Sequence, residues 1–290
     1  MKALACLLLA SALGTAAAQD YPSRPIHVVI PFGSGSLADA VPRLMQPALE
    51  ASLGQRLVIE NKPGAGGNIG AQAVVSSAPD GYTVLMAATN NLVINQYLFR
   101  DMQFDPLVDL VPVSLVVEVP LILQVNPQVP AKTLGEFIAY AKANPGKLNY
   151  ASPSPGTLPH LAMEIFARAA GLNLVHVPFK GGGPALNALL GNQVQAMLIG
   201  YATTAGQVKA GKVLPLAIAS QKRLAALPEV PTFAQAGYPD LQAAVPGNWW
   251  GMVAPKGTPP AIVQRLSQEI AKALADPSVR KKYEDLGLTP

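Results

Sequence analysis

The sequence has almost no cysteine: one thiol, Cys6, in 290 residues, placed close to the start. Past that point there can be no disulfide, no thiol nucleophile and no thiolate metal site. Histidine is nearly as scarce, at His27, His160 and His176, and no H-E-x-x-H or H-x-x-x-H spacing occurs, so a zinc site is not expected. Charge is thin as well. Only 13% of residues are charged, and the net charge of +4 is scattered, with no basic stripe for nucleic acid. No apolar run reaches the roughly 20 residues that a membrane span needs. What remains is a chain that is 50% hydrophobic, with 28 Pro and 25 Gly. That content excludes disorder, and the lack of a glycine period or heptads excludes collagen and coiled coil. The length allows one large or two medium domains, each with a real core.

The first eighteen residues stand apart. Met1-Lys2 is a minimal basic start, residues 3–13 are apolar, and Ala16-Ala17-Ala18 before Gln19 fits an A-x-A cleavage site. This reads as an export signal peptide, residues 1–18, cleaved after Ala18. The stretch before Cys6 is too short for a lipoprotein signal.

Further on, strand and helix patterns alternate. Strands are expected at 26–30, 57–59, 82–87, 148–151, 174–178, 194–199, 213–219 and 249–253. Helices are expected at 37–53, 68–77, 137–143, 159–170, 185–190, 203–210 and 259–275. This alternation predicts an α/β fold with mostly parallel sheets flanked by helices. Residues 111–126 are extended but broken by Pro112 and Pro120, which suits a crossing between domains better than one central strand. Pro47 is expected to kink the first long helix. An echo links His27 to Gly33 with His176 to Gly181: each has a strand, a Pro-Phe corner and a glycine-bearing turn before a helix. It suggests two similar lobes.

No spacing selects a catalytic set. Gly33-Ser34-Gly35 does not complete G-x-S-x-G, and Gly64 to Gly70 meets neither the dinucleotide fingerprint nor the P-loop. The stronger candidate is built from main chain. Turns at 33–38, 88–91, 152–157 and 180–183 each end a strand and open a helix. Helix N-termini expose unpaired N–H groups and partial positive charge, so converging turns of this kind can receive a carboxylate or phosphate. In open α/β sheets such turns lie beyond the carboxyl ends of the strands, where ligands bind. Each candidate also has a plainer reading: Asp39 as a helix-start acid, Lys180 as a solvated surface cation, Trp249 and Trp250 as core or hinge.

Several strings then resemble one family. They are Tyr21-Pro22-Ser23-Arg24-Pro25-Ile26, then Pro31-Phe32 with the turn ending in Asp39, and the stretch from Glu60 to Gly70. Ala78 to Thr83, Ala143 to Tyr150, His176 to Gly181 and Leu227 to Thr232 continue it in order. Together they resemble the substrate-binding proteins of tripartite tricarboxylate transporters, the Bug receptors. The resemblance implies a periplasmic binding protein with two α/β lobes joined by crossing strands. Residues 19–122 with 248–290 would form the first lobe and 123–247 the second.

The resemblance also implies a small carboxylated ligand held between the lobes. The first-lobe site would be Phe32, Gly35, Ser36 and Asp39, with Thr89 and Asn90. The second-lobe site would be Ser152, Ser154, Gly156 and Thr157, with Lys180 and Gly181 near the cleft. Trp249 would be the aromatic of the return strand. Ile199-Gly200 stands where the family often has Asp-Asn lining the pocket, which argues against a ligand amine. Ser36 and Ala38 also depart from the usual first turn, and Pro153 and Pro155 remove two N–H donors from the second-lobe loop. In the family the chain usually continues past the position of Pro290 through a further helix.

The expected function is non-catalytic capture of a small organic acid, presented to membrane transporter subunits. A receptor signalling to a sensor kinase, and a serine hydrolase using Ser152 or Ser154 with His160, are the alternatives. No cofactor, metal or nucleic acid is expected, and the chain is expected to be monomeric in the periplasm.

Overall fold

A computed structural model describes residues 21–244 and 248–290. The expected signal peptide, its cleavage point after Ala18 and Cys6 lie outside the described residues.

The chain starts with β1 (Ile26–Ile30), α1 (Leu37–Leu53), β2 (Leu57–Asn61), α2 (Asn68–Val75) and β3 (Thr83–Ala88). Two short helices, α3 (Asn95–Leu98) and α4 (Pro106–Asp109), lead to β4 (Leu110–Glu118). Next come β5 (Leu121–Val125), α5 (Leu134–Ala143), β6 (Asn149–Ser152), α6 (Leu158–Ala169), β7 (Val175–Pro178) and α7 (Gly182–Leu190). β8 (Ala196–Gly200), α8 (Tyr201–Lys209), β9 (Leu214–Ala219) and α9 (Pro239–Ala244) follow. The chain returns through β10 (Trp249–Pro255), α10 (Pro260–Ala275) and α11 (Pro277–Asp285).

These strands form two five-stranded sheets, ordered β2-β1-β3-β10-β4 and β7-β6-β8-β5-β9. In each, the first three strands are parallel and the fourth runs antiparallel to both neighbours. Each sheet is therefore mixed, with one reversed strand, and each sits within its own α/β lobe. The reversed strand is always the one that has just arrived from the other sheet: β5 follows β4, and β10 follows β9. The extended run 111–126 thus divides into two strands of different sheets. Pro112 falls on β4, an edge strand, where a missing N–H interrupts no central ladder. The two crossings touch: the Val119 N–H donates to the Asn248 carbonyl at 2.7 Å.

Topology also corrects the sequence echo. The matching positions are β1 with β6, both central, and β2 with β7, both edges. The Pro-Phe corners after His27 and His176 follow a central and an edge strand respectively. They are not structural counterparts, although the lobes are.

Helices cover both faces of each sheet. In the first lobe, α1 and α10 pack Val41, Met45, Leu49, Leu266 and Ile270 against Ile26, Val28, Val84 and Met86. On the opposite face α2 presents Ala71 and Val74 to Val29, Leu85 and Ala87. In the second lobe Phe137 of α5 and Phe166 of α6 stack at 6.3 Å beneath Leu121, Leu123 and Leu198. α1 continues through both Pro42 and Pro47. Each proline removes an i→i−4 bond, and the buried face of the helix offsets that loss. α7 begins at Gly182, earlier than its apolar pattern suggests. Pro184 lies in its first turn, where an N–H has no intrahelical partner in any case.

The approach of α2 to β1 is close enough to require glycine. A Cβ on Gly70 would stand 2.9 Å from both the Lys62 carbonyl oxygen and the Pro31 Cα, and neither is free to swing aside. Gly70→Ala is expected to destabilise the first lobe by about 1–3 kcal/mol through backbone displacement. Thermal unfolding followed by circular dichroism checks this; an unchanged midpoint would show that α2 adjusts freely.

Candidate functional site

The turn after β1 is built on a glycine in the left-handed region, Gly35 at φ 77°. Ser36 is the N-cap of α1 and its hydroxyl accepts from the Asp39 N–H at 3.3 Å. Asp39, on the first turn of the helix, reaches back and accepts the Gly35 N–H at 3.0 Å. The other carboxylate oxygen takes two bonds from Arg43, at 2.8 and 3.0 Å, and one from the Asn61 amide at 3.1 Å. Asn61 also donates to the Phe32 carbonyl at 3.0 Å, which ties the start of the turn to its end. Burial alone would raise the Asp39 carboxyl; the bonds from Arg43, Gly35 and Asn61 outweigh it and hold the group below the usual carboxylate range. Asp39, only 5% exposed, is committed to holding this turn.

The turn after β6 repeats the design. Gly156 has φ 75°, Thr157 is the N-cap of α6, and His160 occupies the position of Asp39. The Gly156 N–H donates to His160 Nδ1 at 3.1 Å. The Thr157 hydroxyl donates to the Ser154 carbonyl at 2.8 Å, so its one proton is spent inside the turn. Ser152 is fully buried, and its hydroxyl lies 2.7 Å from His176 Nε2. The Ser152–His160 pairing that the alternative hydrolase reading would need is therefore not formed. A buried serine bonded to a different histidine offers no exposed nucleophile. Gly181 is likewise occupied, donating to the Pro153 carbonyl at 2.7 Å.

The remaining expected residues divide in the same way. Thr89 and Trp249 hold each other: the Thr89 hydroxyl donates to the Trp249 carbonyl at 2.8 Å and accepts its N–H at 3.0 Å. The Trp249 ring is half-buried, while Trp250 belongs to the first-lobe core. Asn90 donates to the Gly66 carbonyl at 2.8 Å. Ile199 is buried at the end of β8, facing Gly182 of α7. Ser154 is half-buried and Lys180 is exposed.

Two supporting groups escaped the sequence reading. One is a fan of carboxamides: Asn90, Asn91 and Asn95 all donate to the Gly66 carbonyl, at 2.8, 3.0 and 3.1 Å. They hold a turn in which Gly64, Ala65, Gly66 and Gly67 all have positive φ, including the non-glycine Ala65 at 47°. The spacing of Asn91 and Asn95 is the only sequence hint. The other group is a stack of rings, His160 on His176 at 4.0 Å and His176 on Tyr150 at 4.9 Å. The Tyr150 hydroxyl donates to Glu164.

The strand ends of the two lobes meet. A Cβ on Gly200, at the end of β8, would lie 3.6 Å from Leu37, the first residue of α1. A Cβ on Gly156 would lie 2.6 Å from Leu98 of α3. Ile94 packs against the second-lobe core and Ala202 against the first. Two open surface hollows, of about 440 and 600 Å³, lie elsewhere, one beside Asn126 and Lys212, the other between β4 and α10. None of the expected site residues lines either.

With this geometry in view, the comparisons are specific. The family described as Tripartite tricarboxylate transporter family receptor, TctC, matches residues 41–290. Protein BugT of Bordetella pertussis is 38% identical over 274 residues, covering 94% of this chain and 83% of its own. A solved periplasmic transporter superposes with a TM-score of 0.87 at 39% identity, over 93% of this chain and 89% of that one. An R. palustris protein with adipate gives 0.88 at 33%, covering 93% and 90%. MatC from Rhodopseudomonas palustris with bound malate gives 0.83 at 35%, covering 92% and 90%. The fold is that of periplasmic binding proteins, and the family is one of transporter receptors rather than enzymes.

The Asp39 network has a measurable signature. A carboxyl held below its unfolded value stabilises the fold above about pH 4, and that contribution is lost as pH falls through the lower folded value. Asp39→Asn keeps the shape but removes the charge, and is expected to cost about 1–3 kcal/mol at neutral pH. The gap between variant and native protein should narrow below about pH 4. Urea unfolding across this range checks it; a gap independent of pH would show that the charge of Asp39 carries no stability.

Proposed function

The chain belongs to the tripartite tricarboxylate transporter receptor family, and on that premise we propose that it captures a small carboxylated organic acid between its two lobes. The closed form then serves membrane transporter subunits from the periplasm. The observation that carries this reading is the pair of matched turns after β1 and β6. Each presents first-turn amides of a helix beside a glycine of positive φ, Leu37 and Ala38 in α1 and Leu158 and His160 in α6, where Pro159 has no N–H, and each lies where one lobe approaches the other. First-turn N–H groups have no intrahelical partners and carry the positive end of the helix dipole, so a carboxylate placed there needs no cationic side chain. The start of α7 adds the Gly182 and Gly183 amides, with exposed Lys180 just before them.

This division of labour reassigns several expected ligand contacts. Asp39, Thr89, Ser152 and Thr157 hold the turns in place, and main-chain amides do the binding. Ser154, half-buried in the second turn, is the hydroxyl left for the ligand. A ligand bonded to both turns stabilises the closed arrangement by its differential affinity for it. Relatives with adipate and with malate make dicarboxylates the first class to test.

Titration calorimetry with adipate, malate and monocarboxylate controls tests the reading, with mass spectrometry of any acid released on unfolding. At least one acid is expected to bind with one-to-one stoichiometry, and Ser154→Ala to weaken it by about 1–3 kcal/mol. No heat from any acid, and none co-purified, would overturn it.

A further inference from the structure

We propose that His160 is the positioning residue of the second-lobe turn, and that protonation of its ring releases this turn while the first-lobe turn stays held. The inference rests on the carboxylate-receptor reading only for its consequence for binding; its structural half stands apart.

The two turns share one device. A glycine of positive φ stands just before the N-cap, and its N–H is accepted by the side chain on the third residue of the helix. In the first lobe that acceptor is the Asp39 carboxylate, with Arg43 and Asn61 around it. The bonds from Arg43, Gly35 and Asn61 outweigh burial and hold the Asp39 carboxyl below the usual carboxylate range, which favours its charged, accepting form. In the second lobe the acceptor is a neutral imidazole nitrogen, His160 Nδ1.

That bond sets the tautomer. Because Nδ1 accepts, the ring proton is on Nε2, the nitrogen 3.9 Å from the Glu164 carboxylate. An arriving proton can therefore go only to Nδ1. It converts the acceptor into a donor that opposes the Gly156 N–H, and the bond is lost. Gly156 has no Cβ to confine it at its φ of 75°, so without that bond nothing local holds its amide in place.

The groups around the ring bear on the proton in opposite senses. Glu164, on the same helix, favours it. His176, on β7, stacks on His160 at 4.0 Å and disfavours a second charge in the stack. Tyr150, on β6, lies 6.5 Å away and gives its hydroxyl proton to Glu164, which keeps that carboxylate partly occupied. Ser152, also on β6, binds His176 Nε2. Burial dominates for His160, with Glu164 opposing it, and holds its pKa below the ordinary histidine value. For His176, burial and then the His160 ring act in the same direction. A histidine with a folded pKa below the unfolded value of about 6.5 stabilises the fold above that pH. The contribution is lost as pH falls through the window between the two.

Nuclear magnetic resonance of the labelled, ligand-free chain between about pH 8 and about pH 5 tests the structural half. The Gly156 amide should shift with the titration of the His160 ring, while the Gly35 amide stays fixed. In His160→Asn the side-chain oxygen takes the place of Nδ1 without titrating, so the Gly156 amide should no longer respond. A Gly156 amide that ignores His160 in the native chain would overturn the proposal, as would one that shifts equally in the variant. If the variant does not fold, the native titration decides alone. Calorimetry with adipate and malate at the neutral and the acid end of that His160 titration tests the binding half. Affinity should fall about tenfold at the lower pH, the effect of losing one hydrogen bond, and by much less in His160→Asn. Equal affinity at both pH values would overturn the binding half. No binding at either pH would overturn the carboxylate reading itself, with the amide titration still deciding the role of His160.

Discussion

The arrangement depends on one constraint: a glycine amide just ahead of each helix must be held in a conformation that the turn alone would not keep. With that amide spent on Asp39 or His160, the helix N–H groups that follow it are fixed in direction in advance, so that on the proposed reading ordering the loop does not consume the binding energy of an anion. Gly35 and Gly156 supply the necessary φ, and Asp39 and His160 supply the hold. This explains why the polar side chains near the turns face inward. Arg43, Asn61, Thr89, Ser152 and Thr157 each complete a bond within their own lobe. They make the main chain of these turns stiff, as the proposed receptor requires.

That division shows why the sequence disclosed the fold more readily than the site. Strands such as Val28-Val29-Ile30 and Met197-Leu198-Ile199 are continuous apolar runs, and burial on both faces leaves little ambiguity about them. Helices with wide apolar faces, α1 and α10, are legible from periodicity. Short helices are not: α3, α4 and α9 are too brief to show a period, and α11 is polar around most of its circumference. The turns were legible in place, but the partners of their side chains were not. The turns at 33–38 and 152–157 are marked by glycine and hydroxyl residues, and both form at those positions. Whether a hydroxyl faces the ligand or its own loop depends on a rotamer, and spacing carries no information about it. Thr157 reads the same in either case. His176 lies 24 positions from Ser152 and meets it only because β6 and β7 pair in parallel register, which sets Tyr150 beside His176. The sequence echo failed for a related reason. Pro-Phe corners record the local need to stop a strand, and such a need arises at central and edge strands alike.

The exchange of strands between sheets gives the lobes a particular mechanical relation. Each sheet has as its fourth strand a segment that has just left the other sheet, so neither lobe completes its sheet without the crossing. The crossings are short on one side, Val119 and Pro120, and joined to the return segment by the bond from Val119 to Asn248. A relative motion of the lobes must bend the chain there, because β4 and β10 are fixed in the first sheet on one side of the crossing and β5 in the second sheet on the other. Gly200 lies against Val119 at this point, and a side chain there would press on the crossing itself. The final residues are drawn into the same region: Thr289 exchanges two main-chain bonds with Glu118, and Gly287 lies against Tyr201 of the second lobe.

Bending at the crossings moves each lobe as a body, since the cores on both faces of each sheet are close-packed and transmit displacement without absorbing it. The two turns therefore approach or separate together with the sheets that carry them. A hold that failed in one turn would leave the hinge untouched and change only what the closed form can grip. That is the physical difference between Asp39 and His160. One is an anion whose three donors hold its carboxyl below the usual carboxylate range. The other is a neutral ring whose single acceptor atom is also its basic one. Two turns built to one plan thus differ in the group that holds them, a carboxylate in one and a neutral imidazole in the other, and on the proposal above only the second is released by a proton.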